Sequence, residues 1–180
     1  MSKKLIVVDL QNDFVDGSLG TKEAQAIIPN VKKKIEHYKK LIDGQILFTR
    51  DTHYDDYLFT NEGKHLPIEH CKYNTHGWQI KDDLDCFAYD CGGGVCSLDK
   101  ETFGLLDWRF PIWEDEDIDR IELVGLCTDI CVISNALILK ATYPEANIVV
   151  DASCCAGTTP ENHKAALTVM KSCQINVIGE

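Results

Sequence analysis

The chain has 180 residues with 18 Lys or Arg against 29 Asp or Glu, so its formal net charge is −11. This length fits a single domain over residues 1–180, and the charge argues against nucleic acid or an anionic membrane surface as the main partner. Nine cysteines are an odd number, no signal-peptide pattern is seen, and no apolar run reaches transmembrane length. We therefore expect a soluble, cytoplasmic protein with mostly free thiols.

Apolar runs bounded by turn residues predict strands that alternate with helices. Strands are predicted at residues 4–9, 45–50, 95–99, 120–126, 148–151 and 175–178. Helices are predicted to begin at Pro29 and Pro160 and to follow Cys131, while residues 51–78 form a long polar loop with four of the six histidines. A solvated segment is predicted at residues 114–119. This order predicts an α/β fold, in which helices cover both faces of a mostly parallel sheet.

Cys131 is the candidate nucleophile. The strand at 120–126 is followed by Thr128 and Asp129, which are residues of helix-capping type, and then by an apolar stretch long enough for a buried helix. Cys131 is therefore predicted in a first helical turn, where free N–H groups and the helix dipole lower the pKa of a thiol. The alternative is a cysteine that only fills space in the core.

Other reactive side chains follow the predicted strands. Asp9, Asp51, Lys100 and the turn at 127–131 all lie just past strand ends, which meet at one edge of a parallel sheet. An acid at that edge can take the proton of a thiol, and a lysine lowers the thiol pKa further. Each residue alone is weak evidence, because a strand-end Asp is more often a cap and a Lys is usually solvated. The prediction rests on their joint placement.

Three motifs resemble the isochorismatase-like cysteine hydrolases, and within them the nicotinamidases and pyrazinamidases. They are Val-Asp-Leu-Gln-Asn-Asp-Phe at 8–14, Val-Gly-Leu-Cys-Thr-Asp-Ile-Cys-Val at 124–132, and Lys100 within 99–104. The resemblance implies a three-layer sandwich around six strands, with Asp9 as acid–base, Cys131 as nucleophile and Lys100 beside them. It also implies a cis peptide bond before Cys127, which brings the backbone N–H groups of Cys127 and Cys131 into an oxyanion hole.

The resemblance further implies a divalent metal ion. Asp51 and His53 match an Asp-x-His element of nicotinamidases, His70 matches a later ligand, and either Glu62 or His65 completes the set. One carboxylate with two imidazoles suits zinc, for which iron and manganese are alternatives. Without the resemblance, solvated loop histidines are an equally good interpretation of the pattern.

The predicted substrate-binding residues are Phe14, Leu126 and Trp78, with Phe103 ranked beside Trp78, since aromatic walls hold a flat ring. Pro67 stands where the family often has an aromatic residue, which bears on the substrate but not on the chemistry. The resemblance implies hydrolysis of nicotinamide to nicotinate and ammonia through a thioester, within pyridine nucleotide salvage. The alternatives are another small amide, or a non-catalytic thiol- and metal-binding protein on the same fold. Assembly into homo-oligomers is left open.

Overall fold

A single parallel sheet organises the chain. The computed structural model describes residues 2–88, 97–109 and 118–180. Six strands within these ranges pair in the order β3-β2-β1-β4-β5-β6, and all five pairings are parallel. The strands are β1 (Ser2–Val8), β2 (Gly44–Asp51), β3 (Ser97–Lys100), β4 (Ile118–Leu126), β5 (Asn147–Ala156) and β6 (Asn176–Ile178). The predicted six-stranded parallel sheet is confirmed.

Helices pack on both faces of this sheet, as predicted. Alternate residues of a strand face opposite sides, so Leu5 and Val7 of β1 join one core, while Ile6 and Val8 join the other. The helices are α1 (Asn12–Val15), α2 (Lys22–Tyr38), α3 (Asn61–His65), α4 (Asp82–Ala88), α5 (Ile133–Thr142) and α6 (Pro160–Ser172). The first core includes residues of α2 and α4, and the second includes residues of α5 and α6.

The start of α2 differs from its prediction. The helix begins at Lys22, where Thr21 Oγ1 accepts a hydrogen bond from the Ala24 N–H, and Pro29 lies inside it rather than in its first turn. A proline in a helix interior costs about 3 kcal/mol. Here the apolar face continues on both sides of it, from Ala24 to Tyr38. Burial of that face offsets the cost, so the helix runs through the proline.

Three further element predictions need comment. The strand predicted at 148–151 is longer, because β5 continues to Ala156. The polar stretch after β2 is not a plain loop, since it contains a 3₁₀ turn (Tyr57–Phe59) and α3. The predicted strand residues 95 and 96, and residues 114–117 of the predicted solvated segment, lie outside the described residues.

The strand order creates a crevice for a site. β1 lies between β2 and β4. The chain adds β2 and β3 on one side of β1, and then β4, β5 and β6 on the other side. In open parallel sheets, ligands bind at the carboxyl ends of the strands where the order reverses in this way. That place lies between the ends of β1 and β4, which are followed by Asp9 and Cys127.

Two predictions about the chain as a whole can be compared with the structure. In the described ranges, no helix combines the length and the apolar character needed to cross a bilayer. The six cysteines whose side chains are described there are all free thiols, in agreement with the prediction of mostly free thiols.

Candidate active site

Strands β1 and β4 approach each other very closely where the site begins. Val8 pairs with Gly125, and a Cβ atom placed on Gly125 would lie 2.1 Å from the Val8 carbonyl oxygen. The φ angle of Gly125 is +122°, a conformation that side chains rarely permit. Only glycine fits both conditions. Asp9, the residue that follows β1, has a φ angle of +46°. It is the first of three neighbouring polar side chains.

Asp9, Lys100 and Cys131 lie together at these strand ends. Lys100 Nζ is 2.6 Å from the Asp9 carboxylate and 3.7 Å from the Cys131 sulfur. The other Asp9 oxygen accepts a hydrogen bond of 2.7 Å from the Thr49 hydroxyl. All three side chains are buried, with Cys131 retaining 5% exposure. The structure thus brings together an acid, a cation and a thiol that are far apart in the sequence.

The protonation of this cluster differs from the prediction for Cys131. Burial, and then the negative charge of Asp9, raise the pKa of the Cys131 thiol well above its ordinary range, and Lys100 only partly opposes them. Burial also raises the pKa of Asp9, against the lowering effect of Lys100. The predicted low-pKa thiol is therefore wrong for the free site. Cys131 is therefore a thiol in the free site, and the carboxylate of Asp9 is the group beside it that can accept its proton.

The turn that carries Cys131 has an unusual backbone. The peptide bond between Leu126 and Cys127 is cis, as the resemblance implies. A π-helical turn then spans Thr128–Val132, in which the N–H groups of Ile130 and Val132 both donate to the Cys127 carbonyl, at 3.1 and 3.0 Å. Cys131 therefore lies in a wide turn that leads into α5.

Thr128 and Asp129 do not cap a helix, so that prediction is wrong. The Asp129 carboxylate accepts hydrogen bonds from the backbone N–H and the hydroxyl of Thr158, and the Thr128 hydroxyl lies 2.8 Å from His163 Nδ1. No side-chain cap is made at the start of the turn. Both residues instead tie the nucleophile turn to the start of α6.

Asn135 is a positioning residue that the sequence analysis missed. It is fully buried one helical turn after Cys131, where its Nδ2 donates to the Cys131 carbonyl at 2.8 Å. Its Oδ1 accepts from the Leu105 N–H at 2.8 Å. An amide inside an apolar helix was the available signal, because such a group is buried only with partners.

Four side chains beside this cluster form a candidate metal site. Asp51, His53, Glu62 and His70 each offer one ligand atom, and these four atoms all lie within 4.8 Å of one another. His53 Nε2 is 2.9 Å from Asp51 and 3.6 Å from Glu62. His65, the alternative to Glu62, points its Nδ1 to the Asn61 carbonyl instead. The structure therefore groups Glu62, and not His65, with the other three.

The donor chemistry of this group fits a divalent cation. His70 Nδ1 is 2.8 Å from the Ile68 carbonyl, so it carries the proton and leaves Nε2 free to act as a ligand. His53 Nε2 is buried and makes no hydrogen bond to the described residues. Two imidazole nitrogens and two carboxylate oxygens within 4.8 Å of one another suit zinc, iron or manganese.

Asp51 belongs to both clusters. One of its oxygens is 3.4 Å from Lys100 Nζ, and the other is 2.9 Å from His53 Nε2 and 3.5 Å from His70 Nε2. Burial alone would raise the pKa of Asp51, but the close contacts with His53 and His70 and the charge of Lys100 hold that pKa well below its usual range. Asp51 is therefore a carboxylate at neutral pH.

A cavity of about 1000 Å³ opens over both clusters. It is lined by Cys131, by the four candidate ligands and by two of the predicted substrate residues, Phe14 and Leu126. The Phe14 ring is 5.4 Å from the His70 ring, centroid to centroid. The cavity is thus a largely apolar space with the Cys131 thiol and the four candidate metal ligands in its wall.

The aromatic residues around this cavity were only partly predicted. Trp78 does not line it, which corrects the prediction, because its indole N–H donates to the Thr52 hydroxyl and Arg50 covers its ring at 3.7 Å. Phe103 does line the cavity, although it was ranked no higher than Trp78. Tyr57 also lines it, 4.5 Å from the His53 ring, and was missed because a tyrosine in a polar loop has no distinguishing pattern.

Comparison with known proteins agrees with this geometry. The family model of the isochorismatase domain matches residues 3–179. A nicotinamidase of Schizosaccharomyces pombe is 27% identical over 98% of this chain and 92% of its own. The crystal structure of a nicotinamidase from Bacillus subtilis has a TM-score of 0.85 at 25% identity, covering 99% of both chains. That of a pyrazinamidase of Pyrococcus horikoshii, in complex with zinc, has a TM-score of 0.78 at 26% identity, covering 100% of both.

Proposed function

Because the chain belongs to the isochorismatase family and is a hydrolase of amide C–N bonds, we propose that it converts nicotinamide to nicotinate and ammonia. One observation carries this proposal: Cys131, which lies beside Asp9 and Lys100, and the four candidate metal ligands line the same cavity. The nucleophile accounts for cleavage of the amide, and the metal site beside it accounts for selection of a pyridine ring.

In the first half of the reaction, Asp9 accepts the proton of the Cys131 thiol and the sulfur attacks the amide carbon. The raised pKa of Asp9 suits this task, since a stronger base takes a thiol proton at lower cost. The backbone N–H groups of Cys127 and Cys131 hold the developing oxyanion. Asp9 then returns the proton to the amide nitrogen, which leaves as ammonia, and a thioester remains on Cys131.

In the second half, water attacks the thioester while Asp9 takes its proton. The C–S bond breaks, Cys131 regains a proton from Asp9, and the nicotinic acid that forms loses its remaining proton to solvent and is released as nicotinate. Lys100 keeps its charge throughout, because Asp9, Cys131 and Asp51 together raise its pKa against the effect of burial. Its role is to hold the Asp9 carboxylate in place at 2.6 Å and to stabilise negative charge on the sulfur.

The substrate ring lies between Phe14 and Leu126, with its nitrogen toward the metal site. Asp51, His53, Glu62 and His70 hold the cation, which we propose to be zinc. When bound, the cation supplies a Lewis acid that anchors the pyridine nitrogen and orients the carboxamide toward Cys131. The protein itself contributes the apolar walls that exclude water from the ring.

Ammonia release from nicotinamide by the purified protein tests this function, with pyrazinamide as a second substrate. Cys131→Ala should abolish release, whereas Cys173→Ala, which removes a thiol near the end of α6, should not. Mass spectrometry after rapid quenching should find the acyl group on Cys131. Zinc binding without release of ammonia from either amide would refute the proposal and favour a binding protein. Release that survives Cys131→Ala would refute the nucleophile.

Chelation tests the metal. Removal of divalent ions should abolish ammonia release, and added Zn²⁺ should restore it. Full activity in the chelated protein would remove the metal from the proposal and leave the thiol chemistry intact.

A further inference from the structure

Gln11 and Asp13 make hydrogen bonds to the backbone of the segments that carry the proposed metal ligands. The buried Gln11 side chain pairs with Asp51 in both directions, since its Oε1 accepts from the Asp51 N–H at 2.7 Å and its Nε2 donates to the Asp51 carbonyl at 2.8 Å. The same Nε2 donates to the Trp78 carbonyl at 2.9 Å. Both polar atoms of the Gln11 side chain therefore bind backbone groups, and both bind the backbone of the candidate ligand Asp51.

Asp13 holds the segment that carries the two histidines. Its Oδ2 accepts a hydrogen bond of 2.8 Å from the backbone N–H of Cys71, the residue that follows His70. The carbonyl of Cys71 in turn accepts from the His53 N–H at 3.0 Å. Cys71, whose N–H is bound by Asp13, is thus linked to both histidines. It follows His70 in the chain, and its carbonyl accepts the hydrogen bond from His53.

The Asp13 carboxylate packs closely against two glycines, at positions where any side chain would displace it. A Cβ atom on Gly77 would lie 2.1 Å from Asp13 Oδ2, and one on Gly17 would lie 2.6 Å from Oδ1. The Cys71 backbone has a φ angle of +45°, which non-glycine residues rarely adopt. A hydrogen bond from that N–H to a charged acceptor is of the stronger kind. It stabilises a conformation that the local sequence does not favour.

We propose that Gln11 and Asp13 are positioning residues for the metal site. Gln11 fixes Asp51, and Asp13 fixes the peptide that orients His70 and anchors His53. This inference rests on the metal site of the proposed function. Groups that orient metal ligands typically contribute 10–100-fold to metal affinity.

The intervening residue offers a matched control. Asn12 is buried in the same stretch, and its Nδ2 donates to the His76 carbonyl at 2.9 Å. His76 is exposed and is not among the four candidate ligands. Asn12→Asp removes one buried donor from this stretch without touching a segment that carries a ligand.

The test measures metal binding directly, on metal-depleted protein without substrate. Zn²⁺ affinity is obtained by competition with a chromophoric chelator, and the visible absorption of bound Co²⁺ reports the arrangement of the ligands. Gln11→Glu puts an acceptor against two carbonyls with almost no change in shape, and Asp13→Ala removes the acceptor of the Cys71 N–H. Each should weaken Zn²⁺ binding about 10–100-fold and alter the Co²⁺ spectrum. Asn12→Asp should bind both ions as the unsubstituted protein does.

Thermal unfolding of the metal-free variants separates positioning from stability. Lowered melting temperatures with unchanged Zn²⁺ affinity and Co²⁺ spectrum would overturn the inference, as would equal weakening by Asn12→Asp. If one of the two variants does not fold, the other decides. Absence of Zn²⁺ binding by the unsubstituted protein would refute the metal site itself. Ammonia release, assayed separately, would show whether amide hydrolysis still stands.

Discussion

Lys100→Met tests the buried ion pair on which the proposed chemistry depends. The Lys100 side chain is 1% exposed and lies 2.6 Å from Asp9, whose side chain is fully buried, and 3.4 Å from Asp51. Methionine has a similar length and no charge, so the variant leaves Asp9 buried without its cation. Removing one partner of a buried pair costs about 3–5 kcal/mol. For a chain of this size that corresponds to a fall in melting temperature of roughly 6–20 °C.

The pH dependence of this loss identifies its cause. Without Lys100, nothing offsets the effect of burial, so the folded-state pKa of Asp9 moves further above its unfolded value. Between those two values the folded state binds more protons than the unfolded state, and stability therefore falls as pH rises. The deficit relative to the unsubstituted protein should therefore be larger at pH 7 than at pH 5. It should shrink toward pH 5 by up to about 1.4 kcal/mol per pH unit.

Urea unfolding at pH 5 and pH 7 measures the loss in free energy of unfolding. Ammonia release at each pH reports whether Asp9 still acts as the base. Lys72→Met is the matched control, because Lys72 also contacts two carboxylates, Asp55 at 3.0 Å and Glu69 at 3.1 Å, but on the surface. Solvent screens the ion pairs of Lys72, so Lys72→Met should lower the urea midpoint far less than Lys100→Met does. A Lys100→Met deficit no larger than the control, or one that does not shrink at pH 5, would refute the reasoning.

Two further substitutions address the backbone of the site. Gly125→Ala should destabilise the protein by about 3 kcal/mol or more, since its Cβ would lie 2.1 Å from the Val8 carbonyl at a φ angle of +122°; an unchanged urea midpoint would contradict the close approach of the strands. Asn135→Ala leaves the buried Cys131 carbonyl and the Leu105 N–H without this partner, which costs about 1–3 kcal/mol. We expect its kcat to fall more than its KM rises, and steady-state kinetics showing the reverse would contradict a positioning role.

The placement of Asp9, Lys100 and Cys131 could be predicted because it needs only strand ends. In a parallel sheet all carboxyl ends lie at one edge, so residues far apart in the chain meet once the strands are recognised. The strand runs are recognisable because they are buried on both faces and therefore continuously apolar. The candidate metal ligand Asp51 was predicted in the same way, from its position at a strand end. The candidate ligands His53, Glu62 and His70 were predicted through the family resemblance.

Properties that depend on the full surroundings of a residue could not be predicted. The pKa of Cys131 was expected to be lowered by the helix start, but the structure buries the thiol beside Asp9, and burial dominates. Trp78 was assigned to the substrate because it is aromatic and follows the polar loop. Its partners, Thr52 and Arg50, are brought near it only by the folded chain. Local patterns contain no information on either point.

The double role of Asp51 leads to a prediction that separates the metal from the nucleophile. Glu62 touches only the metal side, at 3.6 Å from His53 and 3.9 Å from His70, whereas Asp51 also contacts Lys100 at 3.4 Å. Glu62→Ala should therefore lower ammonia release at low Zn²⁺ and regain it as Zn²⁺ is raised above the weakened Kd. Asp51→Ala should stay inactive at every Zn²⁺ concentration, because it also removes the anion that faces Lys100. Recovery of Asp51→Ala to the level of Glu62→Ala would show that Asp51 serves the metal alone.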